Sequence, residues 1–303
     1  MKKPQRTVAC VQWQIDPADY DTVEKFAKKV GIVMDQISEK REGDMLVAFP
    51  EDIVTFGIIS ELKASGIDTD DLDNAIKQYV RKNRSRLIWP RIKTGNWVSA
   101  IFSVCSDLTE EYFDVFKKAA QEYSCLIVAG SGIVVEGNYA YNESRGYDPG
   151  GLGIVQRKAH LIDLESKEGL GLTPSTVDKL THWGTDFGRI AITICYDGFQ
   201  TSVMEKIKNA DIIVQPSANP GPWSKEQQID WLKGAYTMVE SAAKVVVNPM
   251  LTGKVLGLEF YGQSSILVRN EDKGLGYLET EPLPHFVQIA KDPLEDEVLI
   301  WYL

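Results

Sequence analysis

Short apolar runs rich in β-branched residues alternate with amphipathic helical patterns along most of the chain, and this alternation restricts the fold more than any other feature. Several runs are nearly continuous, which is typical of strands covered on both faces. The runs occupy residues 7–13, 45–49, 126–135, 153–157, 189–195, 211–215, 244–247 and 264–269. Helical patterns lie between them at 23–37, 109–124, 199–209 and 225–243. Alternating β and α elements predict an α/β sandwich with one main core.

Residues 57–105 interrupt this alternation with segregated charge. The first part is acidic, and the second is basic without an acidic residue among Lys77, Arg81, Lys82, Arg84, Arg86, Arg91 and Lys93. Charge runs are usually solvated, so one interpretation is a self-neutralising surface insertion. The other is a lid or an anion-binding patch over a site, in which Arg84 and Arg86 would favour acidic substrates.

Composition restricts the class of protein further. Acidic residues outnumber basic ones by 43 to 33 and give a formal charge of -10, which disfavours binding to nucleic acid or to an anionic membrane. A length of 303 residues allows two domains at roughly 150 residues each. However, no linker-like tract divides the chain, so we expect one domain over 1–303 with the charged insertion at about 57–105. We see neither a membrane span nor a secretory signal and expect a cytoplasmic location.

The sequence shows no signal for a cofactor or a metal. Gly130-Ser131-Gly132 follows an apolar run but lacks the third glycine of a dinucleotide site, and no P-loop sequence occurs. The three histidines and four cysteines lack metal-ligand spacing; they are His160, His182, His285, Cys10, Cys105, Cys125 and Cys195. We therefore expect chemistry performed by side chains alone.

Reactive side chains follow three of the apolar runs. Glu51 follows Phe49-Pro50, Lys158 ends the run at 153–157, and Cys195 ends the run at 189–195. Functional groups of α/β sandwiches gather where strands end and loops begin. A cysteine at a strand-to-helix turn also lies near a helix N-terminus, which favours the thiolate.

These three motifs, in this order, resemble those of the nitrilase superfamily of carbon–nitrogen hydrolases. The motifs and their flanks are Val8-Ala9-Cys10-Val11-Gln12, Phe49-Pro50-Glu51, Ile127-Val128-Ala129-Gly130-Ser131, Tyr141-Asn142, Arg157-Lys158-Ala159-His160-Leu161, Ile194-Cys195-Tyr196-Asp197, Ala210-Asp211-Ile212-Ile213 and Val245-Val246-Val247-Asn248. The resemblance covers nearly the whole chain. It implies a four-layer α-β-β-α sandwich that forms a homodimer or a higher homo-oligomer.

The resemblance also implies roles for particular residues. Glu51 would be the general base and acid, Lys158 would stabilise the oxyanion, and Cys195 would be the nucleophile. The backbone N–H of Tyr196 would complete the oxyanion hole. The family has a second glutamate after its lysine, and the spacing to Pro174 favours Glu168 over Glu165. Asn219 and Trp223 are candidates for substrate binding.

The expected reaction is hydrolysis of an amide or N-carbamoyl bond, with a small molecule as substrate and release of ammonia or an amine. Cys195-Tyr196-Asp197 resembles the amidase and carbamoylase branches rather than the nitrilases. Three alternatives remain open: a nitrilase, a family member that has lost activity and serves as a scaffold, and a Cys-His hydrolase with His160 or His182 as base. The apolar end of the chain, residues 298–303, is expected to pack on this subunit or on a partner.

Overall fold

The computed structural model describes residues 5–303, which form two β-sheets and the helices that cover them. The helices are α1 (Val23–Ser38), α2 (Ile58–Ala64), α3 (Leu72–Lys82), α4 (Arg84–Thr94), α5 (Trp97–Val104), α6 (Ser106–Glu122), α7 (Thr201–Ile207) and α8 (Lys225–Ser241). Short 3₁₀ turns occur at Thr55–Gly57, Val177–Lys179 and Cys195–Phe199. Within the described range, no helix is long and apolar enough to span a bilayer.

The strands divide into two sheets of mixed direction. They are β1 (Thr7–Ile15), β2 (Met45–Ala48), β3 (Leu126–Glu136), β4 (Tyr139–Asp148), β5 (Gly151–Arg157), β6 (Trp183–Thr185), β7 (Gly188–Ile192), β8 (Ala210–Val214), β9 (Ser217–Ala218), β10 (Ala243–Asn248), β11 (Met250–Val255), β12 (Leu258–Phe260), β13 (Ser265–Val268), β14 (Phe286–Ile289) and β15 (Glu297–Tyr302). The first sheet has the order β12-β11-β1-β2-β3-β4-β5, with β15 paired to β1 and β9 to β11. The second has the order β14-β13-β10-β8-β7-β6.

Alternate residues of β1 pack into two different cores, and not into the one main core that the alternation predicted, because successive side chains of a strand point to opposite faces. Val8 and Cys10 belong to the core that contains the second sheet together with α7 and α8. Ala9 and Val11 belong to the core that contains α1 and α6. The layers therefore run helix, sheet, sheet, helix, which confirms the predicted α-β-β-α sandwich.

The main departures from the predicted elements occur at polar strands and strained turns. β4 is not among the predicted strands because its buried residues include Asn142 and Ser144 on one face and Glu143 on the other, instead of apolar residues. The run predicted at 189–195 is a strand only as far as Ile192. Cys195 itself has a φ of 47°, a left-handed conformation that ends the extended backbone.

The charged insertion folds into helices α2 to α5, and we call residues 58–104 the helical cap. Asp71 and Asn96 cap the N-termini of α3 and α5 by accepting hydrogen bonds from backbone N–H groups two or three residues later. Hydrogen bonds at several places attach the cap to the body, among them one from α3 and one from α5. Leu72 N donates to Leu256 O at 2.9 Å, and Ser99 Oγ donates to Gly171 O at 3.2 Å.

The C-terminal residues complete the first sheet. β15 pairs antiparallel with β1 from Gln12–Glu297 to Thr7–Tyr302, and Leu299 is buried. The apolar tail therefore packs on its own subunit, which is one of the two arrangements that the sequence allowed.

Candidate active site

Glu51 lies in a buried turn directly after β2. Phe49 N donates to Val128 O at 2.9 Å and extends the pairing of β2 with β3 by one residue. The Pro50 carbonyl then passes so close to Gly130 that a Cβ at Gly130 would collide with it, and Gly130 has a φ of 66°. Gly130 thus lets the Glu51 turn pack against β3. Glu51 is only 2% exposed.

Lys158 follows β5 and points its ammonium between two carboxylates. Its backbone N–H donates to Asn142 O at 2.9 Å, which holds it beside β4. Its Nζ donates to Glu51 Oε1 at 2.8 Å and to Glu165 Oε2 at 2.6 Å. Because Lys158 is 1% exposed, these carboxylates supply the compensation that a buried charge needs.

Asn142, on β4, joins the same two carboxylates from another side. Its Nδ2 donates to Glu51 Oε1 at 2.9 Å and to Glu165 Oε1 at 2.8 Å. Each glutamate therefore accepts a hydrogen bond from both Lys158 and Asn142. The four side chains form a closed, buried hydrogen-bonded ring.

Cys195 begins the 3₁₀ turn that follows β7 of the second sheet. It is connected to Glu51 through hydrogen bonds of Ala218. Its N–H donates to Pro216 O at 2.8 Å. Its Sγ–H donates to Ala218 O at 3.7 Å, and Ala218 N donates to Glu51 Oε2 at 3.0 Å. The thiol and the carboxylate therefore bind the two polar backbone groups of the same residue.

Asp197 connects the cysteine turn to the lysine loop. Its carboxylate accepts from Ala159 N at 2.9 Å, from His160 N at 2.8 Å and lies 2.8 Å from His160 Nδ1. His160 thus contacts Asp197, and His182 Nε2 lies 3.1 Å from Ile207 O. These contacts give no support to a Cys-His mechanism.

Burial shifts the acid–base properties of the site. It raises the pKa of Glu51 to about 8, because the attraction of Lys158 only partly offsets desolvation and the charges of Asp52 and Glu165 add to the rise. Burial, followed by the charge of Glu51, raises the pKa of the Cys195 thiol. Burial alone would lower the pKa of Lys158, but Glu51, Cys195 and Glu165 raise it well above its ordinary value. A cationic lysine therefore lies beside a neutral thiol that needs a base.

The preference for Glu168 over Glu165 is wrong for the glutamate that contacts Lys158. Glu168 is exposed and accepts only a weak 3.4 Å bond from Ser166 Oγ. Glu165 is 5% exposed, and its Oε2 also accepts from Ile162 N at 3.0 Å. A turn closed by the bond from Glu165 N to Ile162 O, at 3.0 Å, directs the Glu165 side chain inward.

A cavity of about 90 Å³ extends from this ring to the helical cap. Its polar lining residues belong to the ring or adjoin it; they are Glu51, Asp52, Thr55, Lys158 and Glu165. Its other lining residues are apolar and come largely from α2, α3 and α5, from residues 162–170 and from residues 256–260. The insertion is therefore a cover over the site, which agrees with the lid interpretation.

Two groups of predicted binding residues lie outside this lining. Trp223 Nε1 donates to Gln263 Oε1 at 2.7 Å, and Asn219 Nδ2 donates to Tyr261 O at 3.1 Å. The residues on either side of Asn219, Ala218 and Pro220, line the cavity instead. The prediction of an anion-binding patch is also wrong for this cavity. Arg84 is exposed, and Arg86 pairs with Glu61 at 3.1 Å.

Sequence reasoning missed Asn142 as a site residue and missed the apolar character of the cap. In the sequence, Tyr141-Asn142 is distinguished only by its resemblance to a motif of the family. The signal available in the sequence is that Asn142 lies in a segment where alternate residues are small or aromatic. This pattern by itself does not predict a strand. Asp197 likewise stands in the sequence as a flanking residue, although its three hydrogen bonds hold the Cys195 turn against the loop that carries Lys158.

Comparisons with known proteins agree with this fold. The sequence profile of the carbon-nitrogen hydrolase family matches residues 7–268, so the chain belongs to that family. The fold is similar to that of the amidase from Nesterenkonia sp. AN1 in complex with acrylamide, at a TM-score of 0.64 and 14% identity over 100% of this chain and 92% of that one.

Two further solved structures share the fold. Nit3 of Saccharomyces cerevisiae, a member of branch 10 of the nitrilase superfamily, has a TM-score of 0.62 and 18% identity over 99% of this chain and 90% of its own. A carbon-nitrogen hydrolase from Helicobacter pylori G27 has a TM-score of 0.65 and 16% identity over 98% and 88%. The probable hydrolase YhcX of Bacillus subtilis is 29% identical over 153 residues, which span 50% of this chain but only 28% of that protein.

Proposed function

We propose that the protein hydrolyses a carbon–nitrogen bond of the amide type through a thioester on Cys195. The observation that carries this proposal is the connection of the thiol to a buried carboxylate with a raised pKa and an adjacent ammonium. Glu51, Lys158 and Cys195 provide a base, a fixed positive charge and a nucleophile, which acyl transfer requires.

In the acylation half, Glu51 takes the proton from Cys195 Sγ as the sulfur attacks the amide carbonyl carbon. The carbonyl oxygen becomes an oxyanion, and Lys158 Nζ supplies positive charge to it together with the N–H of Tyr196. When the tetrahedral intermediate collapses, the C–N bond breaks and Glu51 returns its proton to the leaving nitrogen. Ammonia or an amine departs, and the acyl group remains on Cys195 as a thioester.

In the deacylation half, Glu51 takes a proton from water as the water oxygen attacks the thioester carbon. The second oxyanion uses the same Lys158 charge. The C–S bond then breaks, and the proton on Glu51 returns to Cys195 Sγ. The products are a carboxylic acid and the free enzyme, so no oxidant or reductant takes part.

Glu165 and Asn142 are positioning residues in this scheme. Glu165 accepts from Lys158 Nζ at 2.6 Å and keeps the ammonium fixed while Glu51 changes charge. Asn142 donates to both carboxylates and fixes their separation. Preorganised groups of this kind avoid reorganisation during the reaction.

The proposal is tested by trapping the acyl-enzyme. Incubation with slowly hydrolysed amides should add to the intact protein the mass of the acyl group less one hydrogen, and peptide mapping should place the adduct on Cys195. Cys195→Ala should abolish both adduct and turnover. Cys125→Ala, which alters a buried cysteine outside the site, should retain both.

Ammonia release across amides, N-carbamoyl amino acids and nitriles then separates the reaction classes. Preferred turnover of nitriles would replace the amidase proposal with a nitrilase. A Cys195 thiol that forms no adduct and alkylates at the rate of an ordinary thiol would instead indicate a scaffold protein.

A further inference from the structure

Away from the hydrogen-bonded ring and the residues that adjoin it, the wall of the cavity beneath the helical cap is apolar. Ile76 on α3 and Ile101 on α5 line it from the cap, Leu164 lines it from the loop after Lys158, and Leu258 lines it from β12. Ile76 and Leu258 are only partly buried, and Leu164 is 37% exposed. A concave apolar wall that meets a few polar groups at one end is the usual form of a small-molecule site.

We propose that this cavity holds the acyl half of the substrate, and that the enzyme acts on amides whose acyl group is apolar and uncharged. This inference rests on the proposed amide hydrolysis and specifies its substrate class. A water-sized group needs roughly 10–15 Å³, so 90 Å³ accommodates about six to nine such groups. The fitting acyl group is a chain of about six carbons or a phenyl ring on a short linker.

The acyl half is assigned to the cavity because the two products leave at different times. The amine departs after the first step and must reach solvent, whereas the acyl group stays bonded to Cys195 until water arrives. Ala218 lines the cavity, and its carbonyl oxygen accepts the hydrogen bond of the Cys195 thiol at 3.7 Å, so one residue joins the cavity to the sulfur. An enclosed wall therefore suits the group that stays bound.

An uncharged acyl group is assigned because the cavity offers a distal carboxylate no counter-ion. Among the described residues that line it, Lys158 is the one basic side chain, and Glu51 and Glu165 already pair with it. Arg86, in the basic part of the cap, pairs with Glu61 and donates to Val104 O at 2.9 Å. Burial of an unpaired carboxylate is strongly unfavourable, which disfavours monoamides of dicarboxylic acids and N-carbamoyl amino acids.

The test compares kcat/KM across matched substrates by ammonia or amine release. From acetamide through butyramide to hexanamide, kcat/KM should rise roughly three- to fourfold per methylene group. The monoamide of hexanedioic acid has the same carbon chain as hexanamide with a terminal carboxylate, and its kcat/KM should be at least about a hundredfold lower. N-hexylacetamide, which carries the chain on nitrogen, should gain nothing over N-methylacetamide.

A paired substitution locates the effect in the cavity. Ile76→Lys places an ammonium in the apolar wall and should lower the preference for hexanamide over the hexanedioic monoamide by at least about tenfold. Ile92→Lys makes the same change on α4 at a side chain that is 66% exposed and outside the lining, so it should leave that preference unchanged. If Ile76→Lys does not fold, Ile76→Ser should still flatten the dependence on chain length.

The outcomes separate this inference from the proposed function. Turnover that is best with the hexanedioic monoamide, with acetamide or with N-hexylacetamide would overturn the inference and leave amide hydrolysis intact. Failure to turn over any amide would overturn the proposed function. Calorimetric binding to Cys195→Ala would still decide the cavity's preference: hexanamide should bind, and equal or tighter binding of the hexanedioic monoamide would contradict the inference.

Discussion

Lys158 Nζ donates a 2.6 Å hydrogen bond to Glu165 Oε2, shorter than its 2.8 Å bond to Glu51 Oε1. In the proposed mechanism, one carboxylate partner of the lysine, Glu51, changes protonation during the reaction, while the other, Glu165, keeps its hydrogen bond to the ammonium. This relationship gives the second glutamate a physical purpose. When Glu51 accepts a proton and becomes neutral, Glu165 continues to compensate the buried ammonium.

Glu165→Gln should lower kcat/KM by roughly ten- to a hundredfold, the loss expected for a buried hydrogen bond to a charged group. Because the charge of Glu165 helps to raise the pKa of Glu51, the rising limb of the pH–rate profile should also move to lower pH. Glu168→Gln changes an exposed carboxylate three residues away and should alter neither quantity. Equal effects of the two substitutions would contradict the assignment.

Asn142→Asp should shift the same profile in the opposite direction. The new carboxylate would lie 2.8–2.9 Å from the oxygens of Glu51 and Glu165 that Asn142 now donates to. Like charges at this distance disfavour the ionised form, so the pKa of Glu51 should rise and the rising limb should move to higher pH. kcat should fall more than KM rises, since the cavity wall is unchanged. A fall in kcat with no movement of the limb would indicate a purely structural role.

The positions of Glu51, Lys158 and Cys195 were accessible from the sequence because each follows an apolar run, and strand ends meet at the edge of a sandwich. The choice between Glu165 and Glu168 was not accessible in this way. Both lie in one polar loop, and the inward direction of Glu165 depends on its bonds with the backbone of Ile162. Spacing to a proline carries no information about that turn.

For the charged insertion the sequence left two interpretations open, a solvated surface insertion and a lid or anion-binding patch, because charge dominates its composition. Its helices have apolar faces, on which Leu62, Ile76 and Ile101 point to the cavity while Arg84 lies at the surface. Helices this short depend on tertiary packing for their stability. The surface that their apolar face covers therefore cannot be assigned from the sequence alone. The α/β class was easier to predict, since it follows from long, repeated alternation, and the four layers were implied by the resemblance to the family.

Gly130→Ala should destabilise the fold much more than Gly137→Ala. Both glycines have positive φ, 66° and 62°, so each substitution costs about 1–2 kcal/mol for the left-handed conformation alone. A Cβ at Gly137 meets open space, whereas one at Gly130 collides with the Pro50 carbonyl. The collision should add about 1–3 kcal/mol and displace Glu51, so activity should fall as well. Urea denaturation and kcat/KM measure the two effects, and equal midpoints for both variants would refute the argument.

The pH dependence of catalysis should follow Glu51. Its pKa is raised from 4.5 to about 8, so the carboxylate that accepts the Cys195 proton is scarce at pH 6 and becomes the main form only above pH 8. kcat/KM and the rate of Cys195 alkylation should therefore rise about tenfold per pH unit below pH 8 and then level off. Stability should change in the opposite sense, because a raised carboxyl pKa favours the fold below pH 4.5 and this contribution is lost as pH rises through 8. Glu51→Gln should remove the rise of the Cys195 alkylation rate with pH, and it should lessen the loss of stability at alkaline pH. A limb centred near pH 4.5 would show that Glu51 is an ordinary carboxylate and would remove it as the tuned base.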